Sequence, residues 1–390
     1  MIKRNLSSKL KKLAGQYPVV TVTGPRQSGK TTLVKSVFPK WTYLSLEDPD
    51  VRDFALTDPR GFIAACPEGA ILDEAQRAPD LFSYIQTHVD EIGREGVYVL
   101  TGSFNFGLME GISQSLAGRV AVLELLPFSF SELEKAGRLP GAIEDFMFIG
   151  GYPRIYDKNL EPREWYANYV TTYLEKDVRQ IINVTDLSAF QRFLKMCASR
   201  SGQLLNLSSL GDDCGITHNT AKSWLSVLEA GYIVYLLRPH YKNFNKRLIK
   251  SPKLYFYDPG LLSYLLGVSS SNILATHASK GHIFETWVIA ELLKGRMNRG
   301  LKENIYFWRD NAGHEIDCII DQGDTLVPIE IKSGKTVSQD YFKGLRFWEK
   351  LSKTAGSNMF IVYAGLMDQA RKEGNVLSWK SFGNTIPLKI

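Results

Sequence analysis

The run Gly24-Pro25-Arg26-Gln27-Ser28-Gly29-Lys30-Thr31 reads G-x-x-x-x-G-K-T. The β-branched stretch Val19–Thr23 precedes it and a helical segment, Thr32–Phe38, follows. Strand, glycine-bearing loop and helix in that order make a phosphate cradle. Glycines let backbone N–H groups wrap the oxyanions, and the helix N-terminus adds its dipole. Residues Gly24 to Thr32 are therefore the candidate nucleotide-binding set. Lys30 is expected to reach the β- and γ-phosphates, and the Thr31 hydroxyl to bind Mg²⁺. Such a site needs a second, acidic strand, and Gly69-Ala70-Ile71-Leu72-Asp73-Glu74 supplies it. Asp73 at the strand end is the candidate to hold Mg²⁺ through water, and Glu74 to polarise the attacking water. Next, Val97–Thr101 leads to Ser103 and Asn105, candidates for touching the γ-phosphate or placing that water. Gly118-Arg119 opens a further strand. Arg119 is a candidate to sense the γ-phosphate, in its own site or in a neighbour's.

These segments and three later ones resemble a known family. The runs TGPRQSGKTTL, ILDEAQRAPD, LTGSF, SLAGRVAVLELLPFSFSEL, GGYPR and KLYFYDPGLL are similar to those of AAA+ superfamily P-loop ATPases of bacteria and archaea. The group in question carries a C-terminal domain of unknown function. The resemblance implies an α/β P-loop core, ATP and Mg²⁺ as cofactors, and a sensor position at Ser103 and Asn105. No second arginine motif is clear, so oligomer-dependent hydrolysis is not implied.

A second group of reactive residues lies near the C-terminal end. Asp317 falls in the strand pattern His314–Ile320, and Glu330-Ile331-Lys332 ends the next, Leu326–Lys332. A period of two puts Glu330 and Lys332 on one strand face and Ile331 on the other. Glu285 sits on the preceding helical segment, Gly281–Leu293. The element order αβββαβ and these residues resemble the PD-(D/E)XK nuclease fold. The resemblance implies Glu285, Asp317 and Glu330 as metal ligands, with Lys332 orienting the attacking water. Domains of that fold without activity are the competing reading.

Between the two groups, residues 186–237 read as helix, short helix, tight turn at Gly215-Ile216, a helix His218–Ala230 capped by Thr217, and a strand Tyr232–Leu237. That order suits a winged helix-turn-helix. Ala221, Leu225 and Leu228 share the core face of the capped helix, leaving His218, Asn219 and Lys222 outward for bases or phosphates. The following stretch, Leu236–Lys253, holds Arg238, Lys242, Lys246, Arg247, Lys250 and Lys253 with no acid, and Tyr241 and Phe244 interleaved. Cations with aromatics suit a nucleic-acid backbone with stacked bases. A solvated linker is the plainer alternative, and Lys250 or Lys253 can instead pair with acids of the flanking domain.

The elements that must position these residues are bounded by length and composition. At about 100–200 residues per domain, 390 residues make two or three domains. The reading is α/β: a P-loop ATPase core over 1–130, a helical lid over 131–185 that includes a long helix Trp165–Ile182, the winged helix-turn-helix over 186–240, and the restriction-endonuclease-like domain over 241–390. The hydrophobic and charged fractions, 44% and 23%, are those of a globular protein rather than a disordered or fibrous one. A net charge of +6 permits DNA without demanding it. Four scattered cysteines without a CxxC pair argue against zinc ribbons and disulfide frameworks, and so for a reducing cytoplasm. No apolar run reaches membrane-spanning length. The basic start, Lys3 to Lys12, reads as an amphipathic helix with Ile2, Leu6, Leu10 and Leu13 at helical spacing. The expected function is a cytoplasmic, DNA-interacting ATPase whose nucleotide state controls a nuclease-like domain. Two alternatives stand beside it: a non-nucleolytic ATP switch that scaffolds a protein partner, and a true ATP-dependent DNA nuclease; a homo-oligomer or a protein partner is the further expected association.

Overall fold

The computed structural model describes residues 2–103, 112, 114–174, 186–241, 249–353 and 355–387. Strands β1 (Val19–Thr23), β2 (Tyr43–Ser45), β3 (Ala70–Asp73), β4 (Tyr98–Thr101) and β5 (Val120–Glu124) form a parallel sheet in the order β2-β3-β4-β1-β5. The three central strands, β1, β3 and β4, are short, apolar and buried on both faces, as a parallel sheet between helices requires. Val19 packs into one flanking core with Leu72, Leu100 and Phe82. Val20 and Val22 pack into the other with Leu6, Leu10 and Leu33. The N-terminal helix, Ser7–Ala14, covers that second face. Arg4, from the basic start, is buried: it pairs with Glu132 at 3.1 Å and donates to the Ser28 and Leu126 carbonyls at 2.7 and 2.6 Å.

Four helices follow: Phe130–Lys135, Ile143–Ile149, Pro153–Lys158 and Pro162–Tyr169. Ser129 and Glu132 close the first with a capping box. The fourth begins at Pro162 and passes into a π-turn over Val170–Leu174; the remainder of the expected Trp165–Ile182 helix lies outside the described residues. Its Trp165, Tyr166 and Tyr169 stack around Tyr152.

Helices Leu187–Ser199, Leu207–Cys214 and His218–Ala230 come next, N-capped by Asp186, Asn206 and Thr217. The strand pair β6 (Val234–Leu237) and β7 (Lys253–Phe256) is antiparallel, and Leu204 bridges to Lys253. Strand β6 starts later than Tyr232 because Tyr232 takes a left-handed turn conformation, φ 56°.

The helix Lys280–Met297 leads to β8 (Ile305–Arg309), β9 (Glu315–Asp321), β10 (Leu326–Lys332), β11 (Phe360–Tyr363), β12 (Gln369–Arg371) and β13 (Gly374–Ser378). Their order is β12-β13-β11-β10-β9-β8. Strands β8, β9 and β10 pair antiparallel, and β10, β11 and β13 parallel. The β12–β13 pair extends the sheet beyond the anticipated αβββαβ order. At the opposite edge, His240 N–H donates to Phe307 at 2.7 Å, Phe307 N–H to Arg238 at 3.1 Å, and Ile249 N–H to Arg309 at 3.2 Å. Arg238, His240 and Ile249 thus hold on to the β8 edge of the C-terminal sheet, and one apolar core runs from Leu126 to Ile386. Among the described residues, no helix is long and apolar enough to cross a membrane.

Candidate functional site

The loop after β1 is shaped by close packing. A Cβ at Gly24 would lie 2.2 Å from the Leu125 carbonyl oxygen, and its φ is 143°, so only glycine fits there. The helix Lys30–Val37 starts behind Gly29, itself left-handed at φ 90°. Lys30 is buried, its ammonium donating to the Gly24 and Pro25 carbonyls at 2.9 and 2.8 Å. The lysine therefore lies along the cradle it is expected to serve.

Parallel pairing of β3 beside β4 carries Asp73 and Glu74 to the same sheet end as the loop. One Asp73 oxygen accepts from Thr31 Oγ1 at 2.8 Å and from Tyr43 at 2.7 Å, and the other accepts from Thr101. Burial and the facing Asp73 charge push the Tyr43 phenol far up, so it remains a donor. Glu74 adopts φ 55°, and its carboxylate accepts from Ser103 at 3.0 Å and from Gln76 at 2.5 Å. Ser103 consequently acts on Glu74. Asn105 lies outside the described residues. A Thr hydroxyl beside an Asp carboxylate supplies the hard oxygen donors that Mg²⁺ prefers, so the residues present fit that ion.

Arg119 does not join them. Strands β1 and β5 run parallel with Val19 beside Val120 and Thr23 beside Glu124. The loop follows Thr23, whereas Arg119 precedes Val120, at the far end of the sheet. There it forms an exposed pair with Asp90 at 2.6 Å. The expectation of a γ-phosphate contact in its own site is corrected by strand direction.

A cleft of about 500 Å³ lies over the cradle. Arg26, Gln27, Gly29, Lys30, Thr31, Thr32, Glu74 and Ser103 form one wall; Pro153, Arg154, Asp157 and Lys158 form the other. The second wall, which begins at the end of the GGYPR run, was missed in the sequence. Two residues, Asp258 and Tyr232, hold it and its neighbourhood. Asp258, 1% exposed, accepts from Gly151 N–H at 2.7 Å, Tyr166 at 2.6 Å and Leu261 N–H at 2.9 Å. Tyr232 bonds Thr23 at 2.8 Å and donates to Glu124 at 3.0 Å, tying the turn before β6 to the residue ahead of the loop.

The C-terminal carboxylates are also brought together. Lys332 pairs with Glu330 at 2.6 Å and with Asp317 at 3.2 Å, and Asp317 accepts from Ile331 N–H at 2.8 Å. Glu285 faces the same cluster but is paired by Lys253, at 3.3 Å, and by Tyr255, at 2.5 Å. Lys253 also pairs with Glu315. Buried at 4% exposure, this lysine is not the open phosphate contact that the cationic run suggests. Burial alone would lower its pKa; Glu285, Asp317 and Glu315 reverse that and hold it above the ordinary lysine value. Burial and the Asp317 charge push Glu330 up to about 8. For Asp317 burial acts upward too, but Lys332 and Lys253 outweigh it and keep the group below its ordinary value. Among the described residues, no group of three His, Cys, Asp or Glu is arranged to hold a metal. The expected ligand set of Glu285, Asp317 and Glu330 thus does not fit a metal in this arrangement, because two ammonium groups already neutralise it.

Of the expected nucleic-acid residues, His218, Asn219, Lys222, Arg238 and Lys250 are exposed, while Lys242, Lys246 and Arg247 lie outside the described residues.

Comparison with known proteins matches residues 16–134 to the AAA domain, 141–272 to a domain of unknown function (DUF8612) and 280–382 to another (DUF4143). Domain and cradle together define a P-loop ATPase of the AAA type. Two mycobacterial proteins, uncharacterized protein Rv2008c of Mycobacterium tuberculosis and uncharacterized protein Mb2031c of Mycobacterium bovis, are each 30% identical over 341 residues, spanning 86% of this chain and 75% of theirs. The chain belongs to the family of these two proteins. Among solved structures, it is similar to the Walker-type ATPase PABY2304 of Pyrococcus abyssi, with 16% identity, TM-score 0.48, and 68% and 96% of the two chains covered. It is also similar to AMPPCP-bound DnaA from Aquifex aeolicus, with 12% identity, TM-score 0.30, and 57% and 85% covered.

Proposed function

We propose that the chain is an ATP-hydrolysing switch that acts on DNA, with nucleotide state governing a nuclease-like C-terminal domain. The observation that carries the reading is the division of labour between adjacent acids: Asp73 is engaged with Thr31, and Glu74 is held separately by Ser103. Glu74 takes the proton of a water whose oxygen attacks the γ-phosphorus, and ADP leaves. Thr31 and Asp73 would hold Mg²⁺, which supplies charge neutralisation of the phosphates when bound. Lys30 turns from the loop carbonyls to the β- and γ-phosphates. Arg154 and Lys158 close on the nucleotide from the opposite wall, which gives the second and third units a reason to respond to it.

On the DNA side, the three helices capped by Asp186, Asn206 and Thr217, followed by the β6–β7 pair, support a winged helix-turn-helix. His218, Asn219 and Lys222 at the exposed start of the third helix are its base and phosphate contacts, with Arg238, Lys242, Lys246, Arg247 and Lys250 along the backbone. The antiparallel β8-β9-β10 meander with parallel β11 supports the PD-(D/E)XK-like reading of the last domain. A second reading, a non-nucleolytic switch that scaffolds a protein partner or a further copy of the chain, is favoured by the lysine-filled carboxylate cluster. Four buried, free cysteines suit a cytoplasmic protein.

Fluorescence anisotropy with duplex DNA tests the coupling. Affinity is expected to differ between the ADP and the non-hydrolysable ATP-analogue states. Equal affinities in both states contradict nucleotide control of DNA binding.

A further inference from the structure

Resting on the nuclease-like reading of the C-terminal domain, we infer that Lys253 is an internal cation standing where a divalent metal would bind, so that its ammonium group and a bound metal exclude each other. Lys332 belongs to the domain's own sheet, on the strand that carries Glu330. Lys253 has a different origin: it comes from β7, a strand paired with β6 of the preceding unit. Successive odd positions of β7 reach the same cluster. Lys253 approaches Glu285 at 3.3 Å and pairs with Glu315, and Tyr255 donates to Glu285 at 2.5 Å. Both bonds to Glu285 end on the same oxygen, Oε1.

A buried ammonium group is costly unless it is paired, and carboxylates packed together repel unless a cation sits among them. Lys253 meets both demands at once. It neutralises Glu285 and Glu315 and keeps Glu285 engaged with β7 where a metal would otherwise share it with Asp317 and Glu330. The same strand runs on to Asp258, whose carboxylate holds Gly151 beside the helix that lines the nucleotide cleft. The plugging lysine is thus carried by a strand anchored near the ATPase site.

The test counts bound Mn²⁺ by electron paramagnetic resonance on the full chain without nucleotide, with Asp317→Asn as the blank for ions held elsewhere. Wild type is expected to bind no ion beyond that blank. Lys253→Met is expected to gain one, with its melting temperature rising by roughly 3 °C at Mn²⁺ about 100 times Kd. Adding Asp317→Asn to Lys253→Met should abolish both effects. If Lys253→Met fails to fold, Lys253→Met/Glu315→Gln removes one acid along with the lysine and leaves Glu285, Asp317 and Glu330 intact. Wild type binding an Asp317-dependent ion as tightly as Lys253→Met overturns the inference while leaving the nuclease-like reading in place. Folded Lys253→Met and double variant that both bind none overturn the inference and the metal-dependent reading together.

Discussion

Replacing Asp258 by Asn should weaken both the fold and the nucleotide cleft. Oδ1 accepts from Tyr166 at 2.6 Å and Leu261 N–H at 2.9 Å, and Oδ2 accepts from Gly151 N–H at 2.7 Å. Asn keeps one oxygen, for Tyr166 and Leu261, and sets an amide NH₂ against the Gly151 N–H. The site is sealed, at 1% exposure, so water cannot take over. It cannot rearrange either: a Cβ on Gly150 or Gly260 would already fall within 2.4 Å of the Tyr166 oxygen. Burial and the Asp258 charge hold the Tyr166 phenol far above its usual value, so it too remains a donor needing an acceptor. Losing a charge-assisted bond and stranding a buried donor costs about 3–5 kcal/mol. With an unfolding entropy of about 2 cal/mol/K per residue, that is a fall in melting temperature of roughly 4–6 °C for a chain of this size unfolding as one unit. Differential scanning fluorimetry reads the fall, and a fluorescent nucleotide titration reads the weaker binding expected once the helix Pro153–Lys158 loosens. A melting temperature within about 1 °C of wild type would refute the reasoning.

Ser103→Ala should lower kcat by about tenfold with little change in KM, because Ser103 positions Glu74 rather than binding the nucleotide; an unchanged kcat argues against that role. Arg119→Ala should leave turnover unchanged, and a lost ATPase rate would instead assign it to a neighbour's site. Glu330 has a folded pKa of about 8 against an ordinary 4.5, so the folded state holds the extra proton between those values. Stability should therefore fall as pH rises through that window, by at most about 1.4 kcal/mol per pH unit, and Glu330→Gln should flatten the fall in urea titrations at pH 5 and pH 8; an unaltered slope speaks against a raised Glu330. Neutralising Lys246, Arg247 and Lys250 together should reduce the slope of log K against log salt for DNA by about 2.7, and an unchanged slope moves the DNA contact elsewhere.

The cradle was legible because its parts are local. A strand, a glycine loop and a helix N-terminus occupy one short run, and the motif specifies Lys30 and Thr31 directly. Asp73 and Glu74 were legible because an acid ending an apolar strand announces its place. Arg119 was misread because residue type says nothing about strand direction, and in a parallel sheet that direction decides which end meets the loop. Arg154 and Lys158 were missed because their position depends on Asp258, far along the chain, gripping Gly151. Lys253 reads in the sequence either as one more cation in an acid-free run or as a partner for acids of the flanking domain, and the second reading holds. Its burial follows from acids on the helix Lys280–Met297 and on β9, and only tertiary pairing reveals them. The helix His218–Ala230 appeared with its cap because Thr217 signals it within one turn, whereas β12, at three residues, is too short to stand out. The proposed boundary at residue 241 separates β6 from β7, whose pairing spans a gap that includes seven undescribed residues, 242–248.

The central claim is that Lys30 and Glu74 do different work in one ATP site. Steady-state phosphate release with Mg²⁺, paired with nucleotide-binding titrations, measures it most directly for wild type, Lys30→Ala and Glu74→Gln. Wild type should hydrolyse ATP, Lys30→Ala should lose binding, and Glu74→Gln should bind ATP as wild type does while its turnover falls by about 10²-fold or more. Equal phosphate release by wild type and Glu74→Gln would contradict the account.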